Sequence, residues 1–104
     1  MELTFLDSEI RQICQVESKA IEVYGKETAR KLQSRLSDLE AADSVWELPA
    51  GAPTPISDSE YKITIDKNLF LIFCANNRRQ PKDTNGKIDW QRVSIIKILK
   101  LENR

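Results

Sequence analysis

Hydrophobic residues in this chain recur with two different periods, and the change of period separates a helical first half from a stranded second half. Residues 2 to 6, ELTFL, alternate Leu3 and Phe5 against Glu2 and Thr4, which predicts a short strand. Asp7 or Ser8 then caps a helix in which Ile10, Ile13, Cys14, Ala20, Ile21 and Tyr24 repeat at three- and four-residue intervals, a stripe interrupted by Glu17. Gly25 closes that helix, and a second, from about Glu27, carries Ala29, Leu32, Leu36 and Leu39 on one face. Two helices joined by so short a break predict an antiparallel hairpin.

The segment Ser44 to Glu47, SVWE, has the S-x-x-E form of a capping box and predicts a short helical turn. Pro49 and Gly51 end it, and Pro53 and Pro55 keep the following stretch extended. The period then becomes two: Tyr61, Ile63 and Ile65 alternate with Lys62 and Thr64, a turn follows at Asp66 to Asn68, and NLFLIFCA returns as a partner strand. Residues 76 to 91 are polar, with Asn85-Gly86 at a predicted turn, and Val93 to Leu101, VSIIKILKL, reads as a last strand. The pattern predicts an α+β fold: an antiparallel sheet with an N-terminal helical hairpin packed on one face, in a single domain over residues 1–104.

Asn68 to Phe73, NLFLIF, is apolar on both of its faces: Leu69, Leu71 and Phe73 point one way, Phe70 and Ile72 the other. A helical hairpin covers only one side. The second side is open to two explanations, a bound partner or a sheet that curls onto its own long loop.

Sixteen basic and sixteen acidic residues cancel, but unevenly. Residues 1 to 50 carry 6 basic and 10 acidic side chains, and residues 51 to 104 carry 10 and 6. The second half is therefore the candidate polyanion-binding half. Cys14 and Cys74 have no CxxC or Cys/His companions, so no metal site or redox motif is suggested and no cofactor is implied. The chain has no histidine, which removes the commonest general base. With no signal-like or membrane-spanning apolar run, the expectation is a cytoplasmic protein with no membrane contact.

Three stretches, KETARKLQSRLSDLEAADSVWELPAGAPTPI from Lys26 to Ile56, ITIDKNLFLIF, and IDWQRVSIIKILKL ending at Leu101, resemble the RelE/ParE superfamily of type II toxin-antitoxin toxins. Within it the likeness is to the HigB-like plasmid maintenance killer branch, and RLSDLEAADSVWELP is its most specific part. The resemblance implies a ribosome-dependent mRNA endoribonuclease that works by attack of a ribose 2′-OH on the adjacent phosphate. It also implies a cognate helix-turn-helix antitoxin (HigA-like), the ribosome and mRNA as partners, and operator DNA reached only through the antitoxin.

Such cleavage needs a base, a cation for the phosphorane and an acid for the leaving oxygen. Where the family's approach loop reads His-Pro-Leu-Lys-Gly, this chain has Thr54, Pro55, Ile56, Ser57 and Asp58. Phe70 stands in place of the strand arginine, and the chain ends Glu102, Asn103, Arg104 where the family closes on Asp-Tyr-His. The expectation is therefore a toxin of weakened activity, with a cleavage-free antitoxin-binding module or a ParE-like gyrase inhibitor as alternatives. Candidate catalytic residues are Tyr61, Lys62, Lys97 and Arg104, joined on the last strand by Lys100. Arg78, Arg79, Lys82 and Lys87 are candidate RNA contacts on the loop, and Phe70 and Ile72 are candidate partner contacts.

Overall fold

The strand Glu2–Phe5 (β1) leads into three helices, Ser8–Gln15 (α1), Glu17–Tyr24 (α2) and Lys26–Ala41 (α3), in a computed structural model that describes residues 1–103. Four strands follow: Thr54–Pro55 (β2), Glu60–Asp66 (β3), Leu69–Ala75 (β4) and Ile95–Asn103 (β5). Single 3-10 turns sit at Val45–Glu47 and Trp90–Arg92. No helix among the described residues is long and apolar enough to cross a membrane.

The first arm of the hairpin is two helices, not one. Asp7 caps α1, its carboxylate accepting the Ile10 N–H at 3.0 Å. At Val16 the backbone turns extended, and the Cys14 carbonyl, released from helical pairing, accepts the Gln33 side-chain amide of α3 at 2.8 Å. The break also explains the interrupted stripe. It changes the helical phase, so that Ile10, Cys14 and Ala20 are all buried while Glu17 faces solvent. Gly25, at φ +88°, turns the chain from α2 into α3.

The α3 face of Ala29, Leu32, Leu36 and Leu39 is buried as the periodicity predicts. The Met1 ammonium donates to the carbonyls of Leu39, Glu40 and Ala42 at 2.6 to 3.0 Å, placing positive charge at the C-terminal end of α3. In the turn after α3, Glu47 reaches back to the backbone N–H of Asp43 at 2.9 Å, and the Ser44 hydroxyl makes no cap bond. The reciprocal capping box predicted for SVWE is therefore only half formed, one residue upstream of its expected place.

The five strands lie in the order β1-β5-β4-β3-β2. The sheet is mixed, which corrects the expectation of an antiparallel one: β1 runs parallel to β5, and every other pairing is antiparallel. The meander β3-β4-β5 alternates direction and makes β5 run as β3 does. One edge of the meander is taken by β2 on β3, so β1 joins the other, on β5.

One face of this sheet meets the helices. Tyr61, Ile63 and Ile65 of β3, Leu69, Leu71, Phe73 and Ala75 of β4, and Ile96 and Ile98 of β5 join Ile10, Cys14, Leu32, Leu36 and Leu39 in a single core. The long loop closes one end of it. Trp90 is buried, 4.7 Å from the Tyr61 ring centre and 6.2 Å from that of Phe73, and its indole N–H donates to the Asp58 carbonyl at 3.0 Å. At the far end of the loop Asp83 accepts the N–H groups of Asn85 and Lys87, and Gly86, at φ +77°, makes the small turn that Asn-Gly predicts.

Candidate phosphate-binding sheet face

The second face of the sheet carries no helix. Strand alternation puts Glu60, Lys62 and Thr64 of β3 there, beside Phe70, Ile72 and Cys74 of β4 and Lys97, Lys100 and Glu102 of β5. Three rows cross the strands. Lys62 lies opposite Ile72 and Ile72 opposite Lys100; Glu60 lies opposite Cys74 and Cys74 opposite Lys97; Thr64 lies opposite Phe70 and Phe70 opposite Glu102. Thr4 of β1, beside Lys97, extends the row of Glu60, Cys74 and Lys97.

Ile72, a candidate partner contact, is only 4% accessible, too buried to offer a partner more than a sliver of surface. No helix covers it. Its lateral neighbours are Lys62 and Lys100, and lysines lay their aliphatic stems along apolar surface while their ammonium groups stay in water. Phe70 is half-buried, and the Lys62 ammonium sits 4.5 Å from its ring centre. NLFLIF is thus apolar on both sides for two reasons: one side is core, and the other is the floor beneath a lysine-rich surface.

Tyr61 falls on the opposite face from Lys62 and Lys97. It is 4% accessible, stacked against Phe73 at 6.3 Å and met edge-on by Trp90 and Trp46, and burial pushes its phenol above its ordinary range. The structure therefore does not bring the four catalytic candidates together: Lys62 and Lys97 share the open face, Tyr61 is core, and Arg104 lies outside the described residues. Trp46, 60% exposed, is the one large aromatic side chain of this cluster left at the surface.

Arg78, Arg79, Lys82 and Lys87 are all exposed on the loop that leaves β4 just beyond Cys74. The loop is braced from within. Asn77 accepts the N–H groups of Ser94 and Ile95, Gln80 donates to the Ala75 carbonyl, and Arg92 donates to the Lys82 carbonyl at 2.7 Å. The two arginines are presented by an ordered frame.

Residue-type reasoning passed over Glu60 and Cys74. The thiol of Cys74 is shifted up, chiefly by burial; Lys97 opposes the shift and Glu60 adds to it. Alternation within β3 and β4 already aligned both residues with Lys62; their lack of a motif hid them. As built, the face offers cations and hydrogen-bond donors to a phosphate, and the carboxylates it holds are Glu60, opposite Cys74, and Glu102, 3.8 Å from the Lys100 ammonium. No family model matches this chain, and no curated protein or solved structure matches it.

Proposed function

We propose that this chain is the toxin component of a type II toxin-antitoxin system, of the HigB-like kind, acting in the cytoplasm on ribosome-bound mRNA with weakened cleavage. The observation that carries the reading is the convergence of Lys62, Lys97 and Lys100 on one helix-free sheet face, on strands whose backbone fixes their spacing. Phosphate contacts need charge more than sequence-specific geometry, and the three lysines outnumber the two carboxylates, Glu60 and Glu102, on this face. The order of strand, helical hairpin and stranded meander also fits the fold that the resemblance implies.

Cleavage asks for more than charge. With Tyr61 in the core and a ring at Phe70, a bound phosphate finds cations, and accepting the 2′-OH proton falls to Glu60 or Glu102, weak bases of which Glu102 is already 3.8 Å from Lys100. A second reading, an antitoxin-binding module that does not cut RNA, is favoured by the half-exposed Phe70, which offers a helix-turn-helix antitoxin an apolar contact between Thr64 and Glu102 with the Lys62 ammonium beside it.

The test is binding of a fluorescent single-stranded RNA across a salt series, together with ribosome co-sedimentation and primer extension on translated message. Wild type is expected to bind with an affinity falling as log salt with a slope of about −0.7 per phosphate engaged, and to cut weakly. The triple variant Lys62→Glu, Lys97→Glu, Lys100→Glu is expected to lose binding. RNA binding that is unchanged in the triple variant overturns the reading, and cleavage at full toxin rates overturns its weakened chemistry.

A further inference from the structure

We propose that the free edge of β5 pairs with the same edge of a second copy of this chain, joining two five-stranded sheets into one continuous sheet. The inference does not depend on the toxin reading. It begins from unequal strand lengths: β1 pairs with β5 only from Ile95 to Ile98, the Leu6 N–H adds one bond to the Ile98 carbonyl, and β5 runs on to Asn103. From Leu99 to Asn103, no strand among the described residues pairs with β5 on the β1 side. An open strand edge of this kind is a template for another strand.

Beside that edge lies a groove of about 250 Å³ whose apolar lining includes Ile10, Ile13, Tyr24, Leu99 and Leu101. The occupant is identified by charge and symmetry. Lys100 and Glu102 project from the helix-free face, Lys100 beside Ile72 and Glu102 beside Phe70, while Leu101 between them turns toward the core. Antiparallel pairing of two copies about a two-fold axis at Leu101 sets Leu101 against Leu101 of the second copy. The same register sets Lys100 against Glu102 of the second copy, and the symmetric pair repeats it. Opposite charges meet directly across the strands on one face and leucines on the other, the complementarity that an isologous contact requires. Within one chain the two charges are already 3.8 Å apart, so the dimer builds a closed square of alternating charge. It also places the lysine-bearing faces of both copies on one side of the joined sheet.

Sedimentation velocity of the full chain over a concentration series tests this, with charge variants at two exposed positions that leave the core untouched. Wild type is expected to show a monomer–dimer equilibrium. Glu102→Lys and Lys100→Glu, each creating like-charged cross-strand pairs, are expected to raise the dissociation constant about tenfold, and the double exchange is expected to restore it. Independently, Leu101→Cys in a Cys74→Ala background is expected to form an intermolecular disulfide on oxidation. Antiparallel partners have Cα atoms about 4.5 to 5.5 Å apart, within the reach of a disulfide. A chain that stays monomeric at every concentration, or a dimer indifferent to both single variants and without the cross-link, overturns the proposal.

Discussion

Lys62 holds its ammonium 4.5 Å from the centre of the Phe70 ring, across the β3–β4 pair and on the face of the sheet that no helix covers. Lys62 lies directly opposite Ile72, so the contact with Phe70 is diagonal, and it carries the lysine stem across the floor of the face. In a double-mutant cycle with Lys62→Met and Phe70→Leu, unfolding in urea is expected to give a coupling of ~0.5–1 kcal/mol, smaller at high salt. Zero coupling at low salt would remove the pair from the stability of the sheet.

Phe70→Arg is expected to fold. Its ring is half-buried on the helix-free face, where a guanidinium reaches water, so the penalty for enclosing a charge does not arise. The variant is expected to bind RNA more tightly than wild type, through one added cation, and to gain little cleavage because no proton acceptor comes with it. Thermal melts and RNA titrations of both proteins check this; an unfolded Phe70→Arg would show that the second face is sealed.

Trp90 ties the long loop to the core by its ring and by one hydrogen bond to the Asp58 carbonyl. Trp90→Phe keeps most of the ring and loses the bond, which is expected to cost about 1–3 kcal/mol. Trp90→Ala also opens a cavity against Tyr61 and Phe73, and about 3–5 kcal/mol is expected. Chemical denaturation followed by circular dichroism ranks the three proteins, and equal stabilities would contradict the anchoring role.

Burial pushes the Cys14 thiol from its ordinary value of 9.0 up to about 12. The folded protein holds this proton more tightly than the unfolded chain does, so the associated stability is fully present below pH 9.0 and is lost as pH rises toward 12. Cys14→Ala is expected to flatten part of the alkaline fall in stability. In native protein at pH 8, Cys74 is expected to react with a thiol reagent well before Cys14, because Cys74 is only half-buried. Equal native reaction rates would show that the first arm of the helical hairpin opens readily.

Most of the secondary structure was legible in the sequence, because periodicity is a local property. Ala29, Leu32, Leu36 and Leu39 recur at helical spacing and are buried on α3, while the alternation from Tyr61 to Ile65 is the strand β3. The stripe interrupted at Glu17 was visible too, but its resolution was not. That took the break at Val16, stabilised by Gln33 from a helix nineteen residues further along the chain.

The sequence by itself determined that Tyr61 and Lys62 face opposite ways, since neighbours in a strand must. Its alternation also marks the side of Tyr61, Ile63 and Ile65 as the one to be buried, and the fold follows it. Grouping Tyr61 with Lys62 as catalytic candidates runs against that pattern: Tyr61 lies among Phe73 and Trp90, and Lys62 lies beside Phe70 in the open. The parallel pairing of β1 with β5 was beyond local pattern, because alternation records which side a residue faces and carries no information about the direction of the strand beside it. The setting of buried Ile72 has the same origin: Lys62 and Lys100 flank it, one on each neighbouring strand, and only the register of the sheet puts those long side chains beside it.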